Sequence, residues 1–244
     1  MKLNDATSMT VSGLWADLEG KIREAGSLEE ASQELAASLH RNFEESAVLA
    51  RVFATVPYEA LPSSNRKFVD NLADSADARS GLKPSTPVLS LVGTYGPESN
   101  WQDRQKSQGH VGIPLISSAF VDAIPMISRL IKELGLALEW VDSNDTEKIV
   151  ETIGTKAGLF YVEDAASATD SDGRKIIAAQ DFVSDHNVGS VFGTAGAYPS
   201  GQLAVAVVFC RERVSRSVAE LFLPLTDLFK AGTVNLMETG KVFA

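Results

Sequence analysis

The sequence contains a single cysteine, Cys210, among its 244 residues. One thiol cannot make an internal disulfide, a Cys-x-x-Cys redox pair or a cysteine-rich zinc site, so these kinds of site are excluded. No apolar run reaches the ~18 residues that a membrane-spanning helix needs. The first residues also lack the basic stretch and apolar core of a signal peptide. We therefore expect a cytoplasmic protein that does not bind a membrane.

Positive charge is scarce as well, since 22 Lys and Arg face 32 Asp and Glu and give a net charge of −10. Nucleic acids and anionic lipids are bound by clustered basic residues, and we expect neither partner here. The sequence has no P-loop, no HExxH, no GxSxG and no dinucleotide GxGxxG motif. We therefore predict a protein that is not an enzyme.

The clearest structural signal lies near the C-terminus. Two apolar runs, 190–198 and 202–210, are joined by Pro199-Ser200-Gly201, whose turn chemistry predicts a β-hairpin. From Ser215 the apolar spacing becomes helical. The second strand is apolar on both faces and must be covered on both. The pattern therefore places it at the centre of a sheet, between a helix and a concave surface.

The preceding sequence predicts further helices and strands and one long polar loop. The spacing predicts helices over Thr10–Ala25, from Leu28 to about Asn42 behind a Ser27 capping box, and from Ser117 or Ser118 to Leu134, kinked or broken at Pro125. It also predicts strands over Ala47–Val56, Val88–Val92, Leu136–Val141 and Gly158–Val162, a short helix over Glu147–Ile153, and a loop over Pro97–Pro114.

This order of elements resembles the GAF-like sensory domains, which are relatives of PAS domains. The tail SVFGTAGAYPSGQLAVAVVFCRE resembles their last hairpin, and SLEEASQELAASLHRNF resembles their opening helix. The resemblance implies an α+β fold, in which an antiparallel sheet of five or six strands carries helices on one face and a ligand pocket on the other. It divides the chain into an N-terminal helical extension (1–26), a GAF-like sensory domain (27–231) and a C-terminal tail (232–244).

The chain departs from three functional subsets of that family. Asn65-Arg66-Lys67-Phe68 is similar to the start of the cyclic-nucleotide signature, but Leu72-Ala73 stands where its acidic pair belongs. Relatives that reduce methionine sulfoxide use several cysteines, and covalent bilin attachment needs a cysteine in the pocket. Cys210 closes a central strand and is predicted to be a small buried residue. None of these three activities is carried over.

The candidate ligand residues lie in and beside the long loop. An aromatic ring, two cations and an imidazole could close over an anionic or planar ligand, and the same residues could equally form a solvated surface loop. The predicted ligand-binding residues are Tyr95, Trp101, Arg104, Lys106 and His110. The ligand itself is unknown. Since one histidine suffices to hold haem iron, His110 or His186 could also be an axial ligand.

We predict a non-catalytic sensory module that binds a small ligand and signals, to an output domain or kinase, through its terminal helices. Thr10–Ala25 and Ser215–Lys230 carry apolar stripes that would need a partner if the sheet is already covered, which favours a homodimer. Alternatively, both stripes face the core of a single chain. Two other functions stay open: a haem- or metal-binding sensor that uses His110 or His186, and a dimerisation scaffold whose sheet face is filled by its own side chains.

Overall fold

A computed structural model describes residues 1–107, 109–143 and 157–244. The chain forms an α+β fold around an open antiparallel sheet of six strands, as predicted. The strands are β1 (Ala47–Pro57), β2 (Pro87–Tyr95), β3 (Gly112–Pro114), β4 (Gly158–Val162), β5 (Ser190–Ala197) and β6 (Leu203–Cys210). Their order across the sheet is β3-β2-β1-β6-β5-β4, so β1 and β6 lie at its centre.

Helices cover both faces of the sheet. They are α1 (Ser8–Glu24), α2 (Leu28–Asn42), α3 (Ser63–Ser75), α4 (Ser118–Asp122), α5 (Pro125–Glu133), α6 (Glu139–Ser143), α7 (Gln180–Asp185), α8 (Arg216–Glu220) and α9 (Leu223–Glu238). None of the helices in the described ranges is long and apolar enough to cross a membrane.

Side-chain caps fix the starts of the first two helices. Thr7 and Thr10 form a reciprocal capping box at α1. At α2, the Ser27 hydroxyl accepts a hydrogen bond from the Glu30 amide at 3.1 Å, as the predicted capping box requires. The Glu30 carboxylate instead accepts from the amide of Gly26 at 2.7 Å, one residue before the expected position. The capping box at Ser27 is therefore only half formed.

Two apolar cores lie on opposite faces of the sheet. The first packs α1, α2 and α9 against one face, here called the helical face, and contains Phe43, Phe222 and Phe229. The second lies on the opposite face, here called the cavity face, and contains buried residues of α4 to α7, among them Ile131 and Trp140. β6 contributes side chains to both cores, which confirms that it is covered on both sides.

The apolar stripes of the terminal helices are buried within the chain. In α1 the stripe of Val11, Leu14, Leu18 and Ile22 is at most 5% exposed. The premise that these stripes lack a partner is therefore wrong, because α1 packs on α2 and α9. The boundary drawn after residue 231 also falls inside α9, which continues to Glu238. The homodimer stays a prediction that this packing does not require.

The local predictions are confirmed at some positions and wrong at others. The strand predicted over Leu136–Val141 is wrong, because its second half belongs to α6, whose buried Trp140 and Val141 pack into the cavity-face core. Pro125 breaks the predicted helix, since it starts α5 at a position where its missing amide costs no hydrogen bond. The predicted loop ends in β3, which pairs with β2. The helix predicted over 147–153 lies outside the described residues.

Candidate functional site

A cavity of about 400 Å³ lies on the cavity face, at the place where the sequence predicts a concave surface beside β6. Its floor comes from β1 and β6, and its walls from the start of α5, the segment that leads into α7, and the loop 97–111 between β2 and β3. The lining residues are Leu49, Arg51, Asn100, Trp101, Gly109, His110, Ile124, Pro125, Met126, Ile176, Ile177, Ala178, Ala179, Phe182 and Phe209.

Aromatic rings brace one wall of the cavity. Phe182 packs edge-on against Trp101 and Phe209, with ring centroids 5.8 and 5.3 Å apart. His186 lies behind them, its ring centroid 4.7 Å from that of Trp101. Aromatic rings in such edge contacts stabilise one another beyond the area that they bury. The rings of this wall therefore pack on one another and form one continuous, largely apolar surface.

Arg51 is the charged group of the cavity floor. It lies in the middle of β1, opposite Thr94 of β2 and Val207 of β6, and is only 8% exposed. Its Nη1 donates to the Gly109 carbonyl at 2.7 Å and its Nη2 to the Ser107 hydroxyl at 2.9 Å. The N–H of its Nε is buried and has no acceptor. Buried guanidinium groups are usually paired with a carboxylate.

No ion pair with Arg51 occurs in the described part of the chain, where its hydrogen bonds go to neutral acceptors. Burial accordingly lowers the pKa of Arg51 to about 10. The group still carries its proton at neutral pH. The cavity floor therefore holds a positive charge that lacks a counter-charge within these residues, and a bound anion would provide one.

His110 stands next to this charge at the cavity wall. Its backbone φ is 49°, in the left-handed region that residues other than glycine rarely adopt. The Arg51 hydrogen bond to the preceding Gly109 carbonyl helps to hold this conformation. Burial among the walls lowers the pKa of the imidazole, and Arg51 lowers it further. His110 is nevertheless exposed, which weakens the effect of burial. Both causes favour the neutral imidazole over the imidazolium.

The structure brings two of the five predicted ligand residues, Trp101 and His110, to the cavity. Arg104 lies on the other side of the 97–111 loop and is 4% exposed. Its guanidinium donates to a Glu29 carboxylate oxygen at 2.6 Å and to the Asn65 side-chain oxygen at 3.0 Å. Arg104 therefore joins the loop to α2 and α3, and does not line the cavity.

Lys106 and Tyr95 also lie away from the cavity. Lys106 is exposed beside Asp103, with 3.5 Å between their charged atoms. The Tyr95 hydroxyl accepts hydrogen bonds from Arg41 at 3.1 and 3.2 Å, and the Arg41 guanidinium lies 4.7 Å from the centroid of its ring. Both residues thus belong to the surface beside α2, and a ligand in the cavity would not reach them.

The two candidate axial histidines differ in position. His110 lines the cavity, whereas His186 is half-buried behind Trp101, with its Nε2 3.5 Å from a Glu98 carboxylate oxygen. Within the described ranges there is no group of three or more His, Cys, Asp or Glu side chains that could hold a metal ion. The haem prediction therefore depends on His110 alone.

Cys210 is fully buried at the end of β6, as predicted. Its Sγ lies 3.6 Å from the Val208 carbonyl oxygen, and burial raises the pKa of the thiol above its usual range. It does not line the cavity. Arg51, in contrast, was not predicted. Its signal was a single charge inside the otherwise apolar run AVLARVFATV.

No protein-family model matches the chain, and no curated protein matches it in sequence. The six-stranded antiparallel sheet with helices on both faces and a cavity beside its central strands is the architecture expected from the sequence. The chain is similar to the phycoerythrobilin-bound GAF domain from a cyanobacterial phytochrome, at 10% sequence identity and a TM-score of 0.50, over 94% of this chain and 97% of that one. This confirms the GAF-like fold expected from the sequence.

The chain is also similar to bacteriophytochrome RpBphP3 from the photosynthetic bacterium R. palustris, at 6% identity and a TM-score of 0.46. The match covers 93% of this chain and 38% of that one, so the chain corresponds to less than half of that protein.

Proposed function

We propose that the chain is a non-catalytic, cytoplasmic sensory module that binds a small molecule in the cavity and transmits binding to its terminal helices. The observation that carries the proposal is the position of Arg51, whose buried cation lies in the cavity floor and holds the 97–111 loop at Ser107 and Gly109. A ligand that bonds Arg51 would compete for those contacts. Binding and loop position would then be linked, as a sensor requires.

The same loop contacts the helices that would carry the signal. Arg104 is paired with Glu29 in the first turn of α2, and its guanidinium lies 4.9 Å from the ring centroid of Phe243 near the C-terminus. Gln33 of α2 donates to the Gln102 carbonyl at 3.2 Å. Since α2 packs on α1 and α9, a shift of the loop reaches both terminal helices through direct contacts.

The proposal also includes a homodimer. It would form through these helices and pass the signal to an output domain or kinase. It is supported by Met9 of α1 and Leu228 of α9, large apolar residues with 84% and 40% exposure on helices that contact each other. Light scattering coupled to gel filtration measures the mass of the assembly. A monomer at all concentrations, with and without ligand, would remove the dimer from the proposal.

Native mass spectrometry of the gently purified protein, followed by the same sample denatured, tests the sensory function. We expect extra mass that is lost on denaturation, together with a ligand-dependent rise in the unfolding temperature. A chain that carries no added mass and whose unfolding temperature responds to no compound of a metabolite panel would contradict the proposal. The cavity already argues against a scaffold whose sheet face is filled by its own side chains.

The haem-sensor alternative is supported only by the position of His110 at the cavity wall. A neutral imidazole is the form that ligates iron. An absorption spectrum of the purified chain decides this point, since bound haem would give a Soret band that the variant His110→Ala loses or shifts. A colourless preparation that gives no Soret band after incubation with haemin would exclude the alternative.

A further inference from the structure

The uncompensated charge of Arg51 limits what the cavity can bind. A guanidinium has five N–H donors arranged in a fork that matches a carboxylate. At Arg51, donors of both terminal nitrogens are used by neutral oxygens, and the buried Nε–H has no acceptor. A ligand carboxylate on Arg51 would supply the missing counter-charge, and it would compete with these neutral oxygens for the terminal N–H groups.

The rest of the cavity requires an apolar ligand body. Apart from Arg51, Asn100 and His110, its side chains are hydrocarbon, aromatic or thioether groups. The volume of about 400 Å³ is near the lower end of the range for small-molecule sites. A strongly hydrated ligand such as a free sugar would leave its hydroxyl groups facing Ile177 and Phe209 without partners.

We propose that the ligand is an organic monoanion, a carboxylic acid on a compact apolar body, with its carboxylate on Arg51 and its body against the aromatic wall. This inference rests on the proposed sensory function and specifies its ligand class. A single positive charge balances one carboxylate, whereas a doubly charged phosphate would leave one negative charge buried. Burial and the Arg51 cation lower the pKa of His110, which disfavours the imidazolium that would supply a second cation.

The proposal is tested by calorimetric titration of the full chain with matched pairs of probes, namely decanoate with decanamide and 4-phenylbutyrate with 4-phenylbutyramide. Each pair differs only in its head group. We expect the acids to bind about 10- to 100-fold more tightly than the amides, the range expected for a charge-assisted hydrogen bond. In the variant Arg51→Met this preference should disappear while the amides bind as before.

Two further variants act as controls. Arg51→Lys keeps the charge but loses the fork, so it should retain only part of the preference for acids. Arg41→Met removes an arginine from the exposed surface of α2 beside Tyr95, and the affinities for all four probes should stay unchanged.

The possible failures are distinguishable. If acids and amides bind equally to the wild type and to Arg51→Met, the monoanion proposal is overturned and the sensory function stands. If no probe binds and native mass spectrometry finds no added mass, the sensory function fails and the monoanion proposal with it. If inorganic phosphate displaces decanoate at comparable concentration, Arg51 is a general anion site and the apolar body is not required.

Discussion

Arg51 and Arg104 are buried on opposite sides of the 97–111 loop, and their replacement by methionine should have different effects on stability. Both side chains are at most 8% exposed. Arg104 is paired with Glu29, whereas the hydrogen bonds of Arg51 go to neutral oxygens. Methionine keeps an unbranched apolar stem and removes the guanidinium in both variants, so the comparison between them reports the effect of pairing.

In Arg104→Met the free energy of unfolding falls because the former partners of the guanidinium lose it. The Glu29 side chain is only 16% exposed and would lose its cation, which for a buried pair costs about 3–5 kcal/mol. We expect roughly 3 kcal/mol, the lower end, because Glu29 keeps some contact with water and still accepts a hydrogen bond from the Ala244 amide. In a chain of this size the unfolding temperature should then fall by roughly 6–12 °C.

In Arg51→Met the favourable and unfavourable changes in the free energy of unfolding nearly cancel. The variant loses two hydrogen bonds, but Ser107 and Gly109 are only half-buried, so their oxygens can bond water instead. It also removes a buried charge without a counter-charge, which is favourable. We expect a change within roughly 1 kcal/mol, and an unfolding temperature within about 4 °C of the wild type.

Thermal and urea unfolding, followed by circular dichroism, measure both variants. The double variant Glu29→Gln with Arg104→Met should recover part of the loss, because it removes the buried carboxylate that the single variant leaves behind. Equal destabilisation by Arg51→Met and Arg104→Met would refute the reasoning. That result would mean that Arg51 is paired as strongly as Arg104 in the folded protein.

The other predictions concern packing, thiol reactivity and pH. Gly93→Ala would place a Cβ 2.4 Å from the Ser32 backbone and should lower the free energy of unfolding, measured in urea, by roughly 1–3 kcal/mol or more. In contrast, a Cβ at Gly13, on the exposed side of α1, meets nothing within 4 Å, so Gly13→Ala should raise the free energy of unfolding by about 0.5–1 kcal/mol. Equal effects of the two variants would contradict the close approach of α2 and β2. Cys210 should not react with Ellman's reagent until the chain unfolds, because it is 0% exposed and burial raises its pKa. Burial lowers the pKa of His40 and His110 in the folded state, so the unfolded chain binds protons more readily below about pH 6.5 and stability should fall between pH 7.5 and 5.5. The double variant His40→Gln with His110→Gln should flatten that slope in urea titrations, and an unchanged slope would assign it to other groups.

The fold was predictable where local patterns decide it. The hairpin of β5 and β6 follows from two apolar runs around Pro199-Ser200-Gly201, and its position beside the centre of the sheet follows from the apolar character of β6 on both faces. Leu136–Val141 shows the limit of this reasoning. A run of six mostly apolar residues fits a buried strand and a buried helical turn equally well, and only the packing of Trp140 decides for α6. β3 was missed because three residues carry no periodicity, and pairing with β2 forms it.

The loop residues show why sequence proximity does not define a site. Trp101 and Arg104 are three positions apart, yet the first lines the cavity and the second pairs with Glu29 on the opposite side of the loop. The polar composition of the segment predicts that it leaves the core, but it holds no information about the face of the sheet to which each side chain turns. That choice depends on where the neighbouring elements offer a carboxylate or an apolar wall.

Arg51 is the converse case, because the strand pattern does predict the face of the sheet to which its side chain turns. Its neighbours Ala50 and Val52 are core residues of the helical face, and the alternation of a strand places Arg51 on the cavity face. A lone arginine in a central strand costs free energy unless something compensates its charge. The sequence therefore contained a sign of the proposed ligand site that did not depend on the long loop. The unfavourable burial of a charge is the physical reason to propose a site there, and the sign of that charge is the reason to propose an anionic ligand.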